Sequence, residues 1–569
     1  MVYTLTAVEA HGTHGDSPVA LRTDETPLEG TQPVSQPRPI PRLLGSLLLV
    51  TAAALSGSVP AAAASGAERA ATVRPLGQIV PAPASVSPSG APFTLTARAR
   101  IQTDASAEAR ALGERLAEVL RPSTGYALPV TTRPAARSIR LRLAAEESAL
   151  GDEGYRLQSA PGGVTITAHR PAGLFHGVQT LRQLLPASVE SDTRRSGPWQ
   201  VAGGTITDSP RYAHRGAMLD VSRHFLTVDQ VKRYIDHLAL YKMNKLHLHL
   251  SDDQGWRIAI DSWPRLATYG GSTQVGGGPG GHYTKAQYKE IVRYASSRHL
   301  EVVPEIDMPG HTNAALASYA ELNCDGVAPP LYTGTAVGFS SLCVPKQLTY
   351  DFVDDVIREL AALTPGEYIH IGGDEAHSTS HEDYVAFMNK VQPIVAKYGK
   401  TVIGWHQLTG ASPQQGALAQ YWGLDGTSQA EKAQVAEAAR NGTGLVLSPA
   451  DRVYLDMKYD KETELGLAWA GYVEVRRSYD WDPANYLPGV PASAVRGVEA
   501  PLWTETISKD EHIDRMAFPR LPGVAELGWS PASTHDWETY KVRLAAQGPR
   551  LSALGIDYYR SPQVPWPAQ

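Results

Sequence analysis

From Arg211 onward the chain repeats one unit: a short apolar run, a polar end, then a stretch with apolar residues at helical spacing. The runs are Arg215–Arg223, Lys245–Asp253, Leu300–Asp307, Tyr368–Asp374, Thr401–His406, Ala417–Trp422, Gly444–Ser448 and Val495–Trp503. Helical patterns over Thr227–Tyr241, Lys285–Arg298 and Tyr350–Leu363 lie between several of them. Eight strands alternating with helices over residues 211–560 predict an α/β fold, a parallel (β/α)8 TIM barrel. An open doubly wound sheet is the alternative, but its Gly-rich nucleotide turn has no counterpart here.

The pattern before the barrel is different. Short β-like runs, FTLTARARI (Phe93–Ile101) and SIRLRLA (Ser138–Ala144), flank a helical pattern over Ala105–Leu120. The stretch GYRLQSAPGGVTITAH reads as a hairpin turning at Pro161-Gly162-Gly163, and a second helix follows near Gly173–Leu185. Residues 93–207 are therefore expected to form a small α+β domain. The Ala/Pro/Ser-rich residues 65–92 read as a linker, and residues 1–64 as a leader.

Within that leader, LLGSLLLVTAAAL (Leu43–Leu55) follows Arg38 and Arg42 and precedes the small residues PAAAASGA. Charge, short apolar run and small-residue site in that order describe a secretory signal peptide, and thirteen apolar residues are too few for a comfortable membrane anchor. Export is thus expected, with the protein secreted. In that setting the only two cysteines, Cys324 and Cys343, are expected to pair as a disulfide. A net charge of −6 gives no electrostatic reason to expect nucleic acid or an anionic membrane as partner.

Barrel active sites form where strands end and βα loops begin. Read in order, these ends carry Arg223; Asp252 and Asp253; Asp307 and His311; Asp374 and Glu375; Trp405 and His406; Trp422; Tyr454 and Asp456; Trp503 and Glu505. A single Trp or Asp there is usually a packed or satisfied residue, but so many strands ending this way imply a site. Three Trp offer flat apolar walls suited to the C–H faces of a pyranose, and an Arg fork fixes two adjacent oxygens. A sugar pocket is the expected ligand site.

The stretch HIGGDEAH (His370–His377) sharpens this and raises a difficulty. Carboxylates that flank a sugar ring stand about 5–5.5 Å apart for retention or about 6.5–9.5 Å for inversion. Chain neighbours such as Asp374 and Glu375 cannot easily take opposite sides of a ring, so the nucleophile needs another source. Together with LHLHLSDDQGWRI (Leu246–Ile258), VVPEIDMPGH (Val302–His311) and APLWTE (Ala500–Glu505), this stretch resembles family 20 glycoside hydrolases, secreted bacterial β-N-acetylhexosaminidases in particular. The resemblance covers the barrel, and the preceding domain is similar to the small domain found there in the family.

The resemblance implies that the nucleophile is the substrate's own 2-acetamido oxygen, which forms an oxazolinium intermediate. It implies Glu375 as general acid and then base, Asp374 as the ionised group that orients the acetamido N–H, and Tyr454 as a donor to the acetamido oxygen. Trp405, Trp422 and Trp503 would enclose the group, and Arg223, Asp456 and Glu505 would bind ring hydroxyls. Asp252 and His311 would support the acid. The implied substrates are terminal GlcNAc, and GalNAc, of chitin oligosaccharides or glycoconjugates, with no cofactor and no metal. Three rival readings stay open at this point. They are a metal-dependent barrel hydrolase using His247 and His249, an inactive sugar-binding protein, and a conventional retaining glycosidase with Glu305 or Glu505 as nucleophile. The glycine-rich stretch Gly270–Lys285 lacks the phosphate-loop pattern and is expected to be a mobile loop beside the pocket.

Overall fold

The computed structural model describes residues 73–568. The apolar run at residues 43–55 lies outside them, and among the described residues no helix is long and apolar enough to cross a membrane.

Eight parallel strands close into a barrel: His214–Asp220, Lys245–His249, Glu301–Glu305, Tyr368–His370, Thr401–Trp405, Leu418–Tyr421, Gly444–Leu447 and Val495–Leu502. All eight predicted runs are strands, but the first four end two to four residues earlier than the apolar pattern suggested and the last four end one residue earlier. Arg223, Asp252, Asp374 and Glu375 consequently sit on the loops just beyond the strand ends. Helix starts are encoded locally. Thr227 caps Val228–Leu240 and Thr284 caps Lys285–Ser296, each in a reciprocal capping box with the Gln three residues on. Both helices bury apolar residues at i, i+3, i+4 spacing, which lays them on the barrel wall.

The smaller domain is a seven-stranded mixed sheet. Its order is Ser85–Pro88, Gly204–Asp208, Tyr155–Ala160, Gly163–Ala168, Ser138–Leu143, Ile101–Thr103 and Val130–Thr131. Helices Ala107–Thr124 and Pro171–Leu184 pack on it, and Tyr155–Ala160 with Gly163–Ala168 is the expected hairpin. Two local expectations are corrected. The stretch read as a linker contains the strand Ser85–Pro88, paired with Gly204–Asp208, and the buried residues Leu76, Ile79 and Val80. That strand is mostly exposed, so its side chains carry no apolar alternation; backbone pairing alone places it. FTLTARARI is not one strand: Phe93–Leu95 pairs with Trp199–Val201 in a separate two-stranded sheet, and Ile101–Thr103 joins the large one.

The two domains meet through buried charge. Arg215 Nη1 donates to Glu153 at 3.0 Å, Lys242 Nζ donates to Asp208 at 3.1 Å, and Arg543 Nη2 donates to Glu526 at 2.7 Å, whose other oxygen accepts from the Ala82 amide. Removing one partner from such a buried pair strands a charge, so these contacts fix how the small domain docks on the barrel.

Candidate active site

The loops beyond the strand ends bring the predicted residues together in two groups that share one mouth. The first is a line of charges. Arg223 Nη2 lies 2.8 Å from Asp252 Oδ2. Asp252 Oδ1 lies 3.3 Å from His311 Nδ1, and His311 Nε2 lies 3.5 Å from Glu375 Oε2 and 3.8 Å from Asp374 Oδ2. Asp374 and Glu375 therefore share one imidazole nitrogen and stand on the same side of the site. The Glu375 side chain is 30% exposed and that of Asp374 only 11%, so the former opens toward solvent and the latter faces inward.

The backbone that presents this pair is unusual. Gly372 and Gly373 have φ of 66° and 101°, and Glu375 itself has φ of 42°. A Cβ on Gly372 would fall 1.7 Å from Asp307 Oδ1, so glycine is required both for the turn and for the close approach of Asp307. The Gly373 amide donates to that same oxygen at 3.1 Å. A non-glycine residue held in the left-handed region, as Glu375 is, marks a place where the surroundings over-determine the chain.

The second group is aromatic. Trp405, Trp503 and Tyr454 form one buried cluster with Met218 and Met457, and Trp422 packs against it. The Trp405 and Trp503 rings are 5.8 Å apart, and Tyr454 is 6.2 Å from Trp503. Arg223 lies 4.7 Å over the Trp503 ring, and the Trp503 amide donates to Asp456 Oδ1 at 3.4 Å. Several buried polar atoms here lack a protein partner: Arg223 Nε, Asp374 Oδ1, Asp456 Oδ2 and Glu505 Oε2. Buried polar groups are ordinarily bonded, so a cluster of orphans at one mouth is the signature of a site that awaits a polar ligand.

The electrostatics follow from burial and neighbours. Burial, then Asp252 and Arg223's other carboxylate neighbours acting against it, leave the Arg223 guanidinium firmly charged. Burial would raise the Asp252 carboxyl, but Arg223 and His311 outweigh it and hold it well below the usual carboxylate range. His311 is pushed the other way: burial opposes its charge, yet Asp252 and Asp374 raise it well above an ordinary histidine. Burial, with the Glu375 charge adding, pushes Asp374 up to about 6. Burial and the Asp374 charge keep the neighbouring Asp307 protonated far above the normal range.

Two expectations change. The glycine-rich stretch is anchored: Arg257 donates to the carbonyls of Gly271, Thr273 and Gly281, and the Val275 amide donates to the Arg223 carbonyl at 2.9 Å. Glu305, weighed above as a nucleophile, is fully buried with both oxygens engaged, by Trp405 Nε1 at 3.0 Å and by three imidazoles. His247 and His249 lie in groups whose donor atoms approach within 4.8 Å, as a metal site would need. Both nitrogens of each ring, however, face carboxylate oxygens at hydrogen-bond distance, which fills them with protons rather than offering lone pairs.

Trp469 escaped the sequence reading. It lies on the long loop after the seventh strand, 6.0 Å from Trp422 and 5.8 Å from Tyr454, edge to face with both, and is 49% exposed. No strand end marks it; the only signal was a Trp among small residues in GLAWAGY.

Residues 212–384 and 377–532 match the description "Glycosyl hydrolase family 20, catalytic domain", and residues 77–209 match "Glycosyl hydrolase family 20, domain 2". The chain belongs to glycoside hydrolase family 20. It is 42% identical to a β-N-acetylhexosaminidase of Cellulomonas fimi over 492 residues, which span 86% of this chain and 97% of that protein. The GH20 β-N-acetylhexosaminidase of Streptomyces coelicolor superposes with a TM-score of 0.86 at 76% identity, covering 87% of this chain and 99% of that one. A mutant Streptomyces plicatus β-hexosaminidase solved with its product GlcNAc gives the same score and identity, covering 87% and 98%. This family 20 chain is accordingly a glycoside hydrolase of the β-N-acetylhexosaminidase type, a TIM barrel carrying one disulfide, Cys324–Cys343.

Proposed function

We propose that the enzyme is exo-acting, removing terminal non-reducing GlcNAc, and GalNAc, from chitin oligosaccharides or glycoconjugates with retention, through the substrate's own acetamido group. One observation carries this reading: Asp374 and Glu375 both approach the same nitrogen of His311, so they serve one side of the ring and cannot flank it. Glu305, the buried carboxylate beneath, has no free oxygen with which to attack.

In the first step the acetamido carbonyl oxygen attacks C1 while the bond from C1 to the leaving oxygen breaks, and Glu375 gives that oxygen its proton. Asp374, ionised, accepts the acetamido N–H and offsets the positive charge of the oxazolinium. Tyr454, whose hydroxyl burial and then Asp374 keep protonated, donates to the carbonyl oxygen. In the second step water adds to C1 as the bond from C1 to the acetamido oxygen breaks, which restores the acetamide, and the water returns a proton to Glu375. Holding the oxygen against C1 within the Trp405, Trp422 and Trp503 walls removes up to about 7–11 kcal/mol of entropic barrier. Arg223, Asp456 and Glu505, with their orphaned atoms, bind ring hydroxyls, which supports cleavage from a chain end. The aryl β-GlcNAc glycoside and the matching β-glucoside, assayed side by side with chelator present, test this. GlcNAc should be strongly preferred. Comparable rates would mean the protein supplies its own nucleophile.

Export is also proposed. It rests on the apolar run Leu43–Leu55 and on the disulfide, which persists in oxidising compartments. Recovery of the processed chain from culture supernatant, with its N-terminus sequenced, tests it.

A further inference from the structure

Under the catalytic loops lies a carboxylate that the mechanism above does not use. Glu305 ends the third barrel strand and is in register with His249 on one side and His370 on the other, so its side chain projects between two neighbouring strands. Its Oε1 accepts from the Trp405 indole at 3.0 Å and lies 2.8 Å from His370 Nδ1; its Oε2 lies 3.0 Å from His247 Nε2 and is hydrogen-bonded to His249 Nδ1. The second nitrogen of His249 lies 2.7 Å from Asp252 Oδ2. With a carboxylate on each nitrogen, His249 is a fully protonated cation donating in both directions. Asp252 is the group that holds His311 against Glu375.

We infer that Glu305 is a positioning residue for the reaction: one buried carboxylate fixes both the Trp405 wall and, through His249 and Asp252, the His311–Glu375 pair. This rests on the reading of Glu375 as general acid. Charges alternate along the chain: Glu305 negative, His249 positive, Asp252 negative, His311 positive. Each member therefore finds a partner of opposite sign on both sides and has one favoured orientation. Stability does not account for so many buried charges, because well-packed apolar side chains serve a core as well or better. Orientation does account for them, since an acid displaced by an ångström loses much of its effect. Glu305 also makes the sugar wall and the acid move as one body, because Trp405 and His249 bind opposite oxygens of a single planar group.

The replacement Glu305→Gln keeps the shape but turns one acceptor oxygen into a donor, which faces N–H groups and breaks one arm. The full-length enzyme and this variant are compared on two aryl β-GlcNAc glycosides, one with a good leaving group that needs little protonation and one with a poor leaving group that needs the acid. Glu375→Gln serves as the reference. The expected result is a kcat on the poor leaving group lowered about tenfold or more, a much smaller loss on the good one, and a raised KM on both as the Trp405 wall loosens. A merely structural role lowers both rates equally, or lowers only the melting temperature; either outcome, or unchanged kinetics, overturns the inference. If Glu375→Gln itself fails to steepen the leaving-group dependence, the assignment of the acid falls, and this inference with it. A steep Glu375→Gln beside an ordinary Glu305→Gln sinks only the latter. Should Glu305→Gln not fold, His249→Gln interrupts the chain one link nearer the acid and is read by the same ratio.

Discussion

The Cys324–Cys343 disulfide closes a loop with a separation of 19 residues, and that loop packs against the Asp374–Glu375 turn. Ser340 Oγ donates to Asp253 Oδ1 and accepts from the Thr312 amide at 2.9 Å. Ser378 Oγ, three residues past Glu375, donates to the Gly338 carbonyl at 2.9 Å, and Ser341 Oγ lies 2.6 Å from Thr379 Oγ1. In the chain-entropy relation a loop of this length is worth about 3 kcal/mol of global stability. At roughly 2.1 cal/mol/K of unfolding entropy per residue, the described residues 73–568 lose about 3 °C of melting temperature for that amount. Locally the loop is held by more than the bridge. Beside the four bonds just named, the Leu342 amide donates to the Pro309 carbonyl, the Gly276 amide to the Thr333 carbonyl, Asn313 Nδ2 to the Pro330 carbonyl and Gln254 Nε2 to the Gly334 carbonyl. Eight such bonds at about 1 kcal/mol each outweigh about 3 kcal/mol of closure entropy, so the loop stays docked without the bridge. Cys324→Ser with Cys343→Ser should therefore keep most of its kcat at 25 °C. On warming it should lose activity only at its own melting temperature, about 3 °C below that of the wild type, because the loop stays docked until the barrel unfolds. Rates on an aryl β-GlcNAc glycoside from 20 to 55 °C, beside thermal melts of the same samples, measure both. An unchanged melting temperature, or activity lost well below global melting, would refute the reasoning.

Two further outcomes follow from the site. With Asp374 ionised, as proposed, and burial lifting it to about 6, the acid limb of kcat/KM should fall through that pH, to about one tenth of its plateau by pH 5. His311 supplies the largest contribution favouring the ionised form, so His311→Asn should move this acid limb to higher pH; a limb that stays put or moves down contradicts the assignment. Trp469 is half exposed beside Trp422 and Tyr454, and we expect a sugar ring beyond the scissile bond to cover it. Covering half of an aromatic face gains about 1 kcal/mol, so Trp469→Ala should lower kcat/KM on chitobiose about five- to tenfold while sparing a methyl β-GlcNAc glycoside, and equal losses on both would exclude an aglycone role.

Local chemistry made much of this protein legible. Periodicity found the eight barrel strands, because a parallel strand buried on both faces reads as an unbroken apolar run wherever it lies. Thr227 and Thr284 announce helix starts through bonds within four residues. HIGGDEAH marks a turn that only glycine can make, at Gly372, next to paired carboxylates. The strand Ser85–Pro88 was hidden because its evidence is a row of backbone hydrogen bonds to Gly204–Asp208, more than a hundred residues away. Trp469 was hidden because exposed aromatics on loops carry no period. Glu305 showed itself as a carboxylate at a strand end, but its identity as a hub depended on four partners from three other strands. Sequence by itself thus determined the elements, their order and the kinds of chemistry at their ends, since those rest on spacing along one chain. Only the tertiary structure decided which charges face each other and which oxygens remain free, because closing the barrel sets those distances and removes the water that would otherwise screen them.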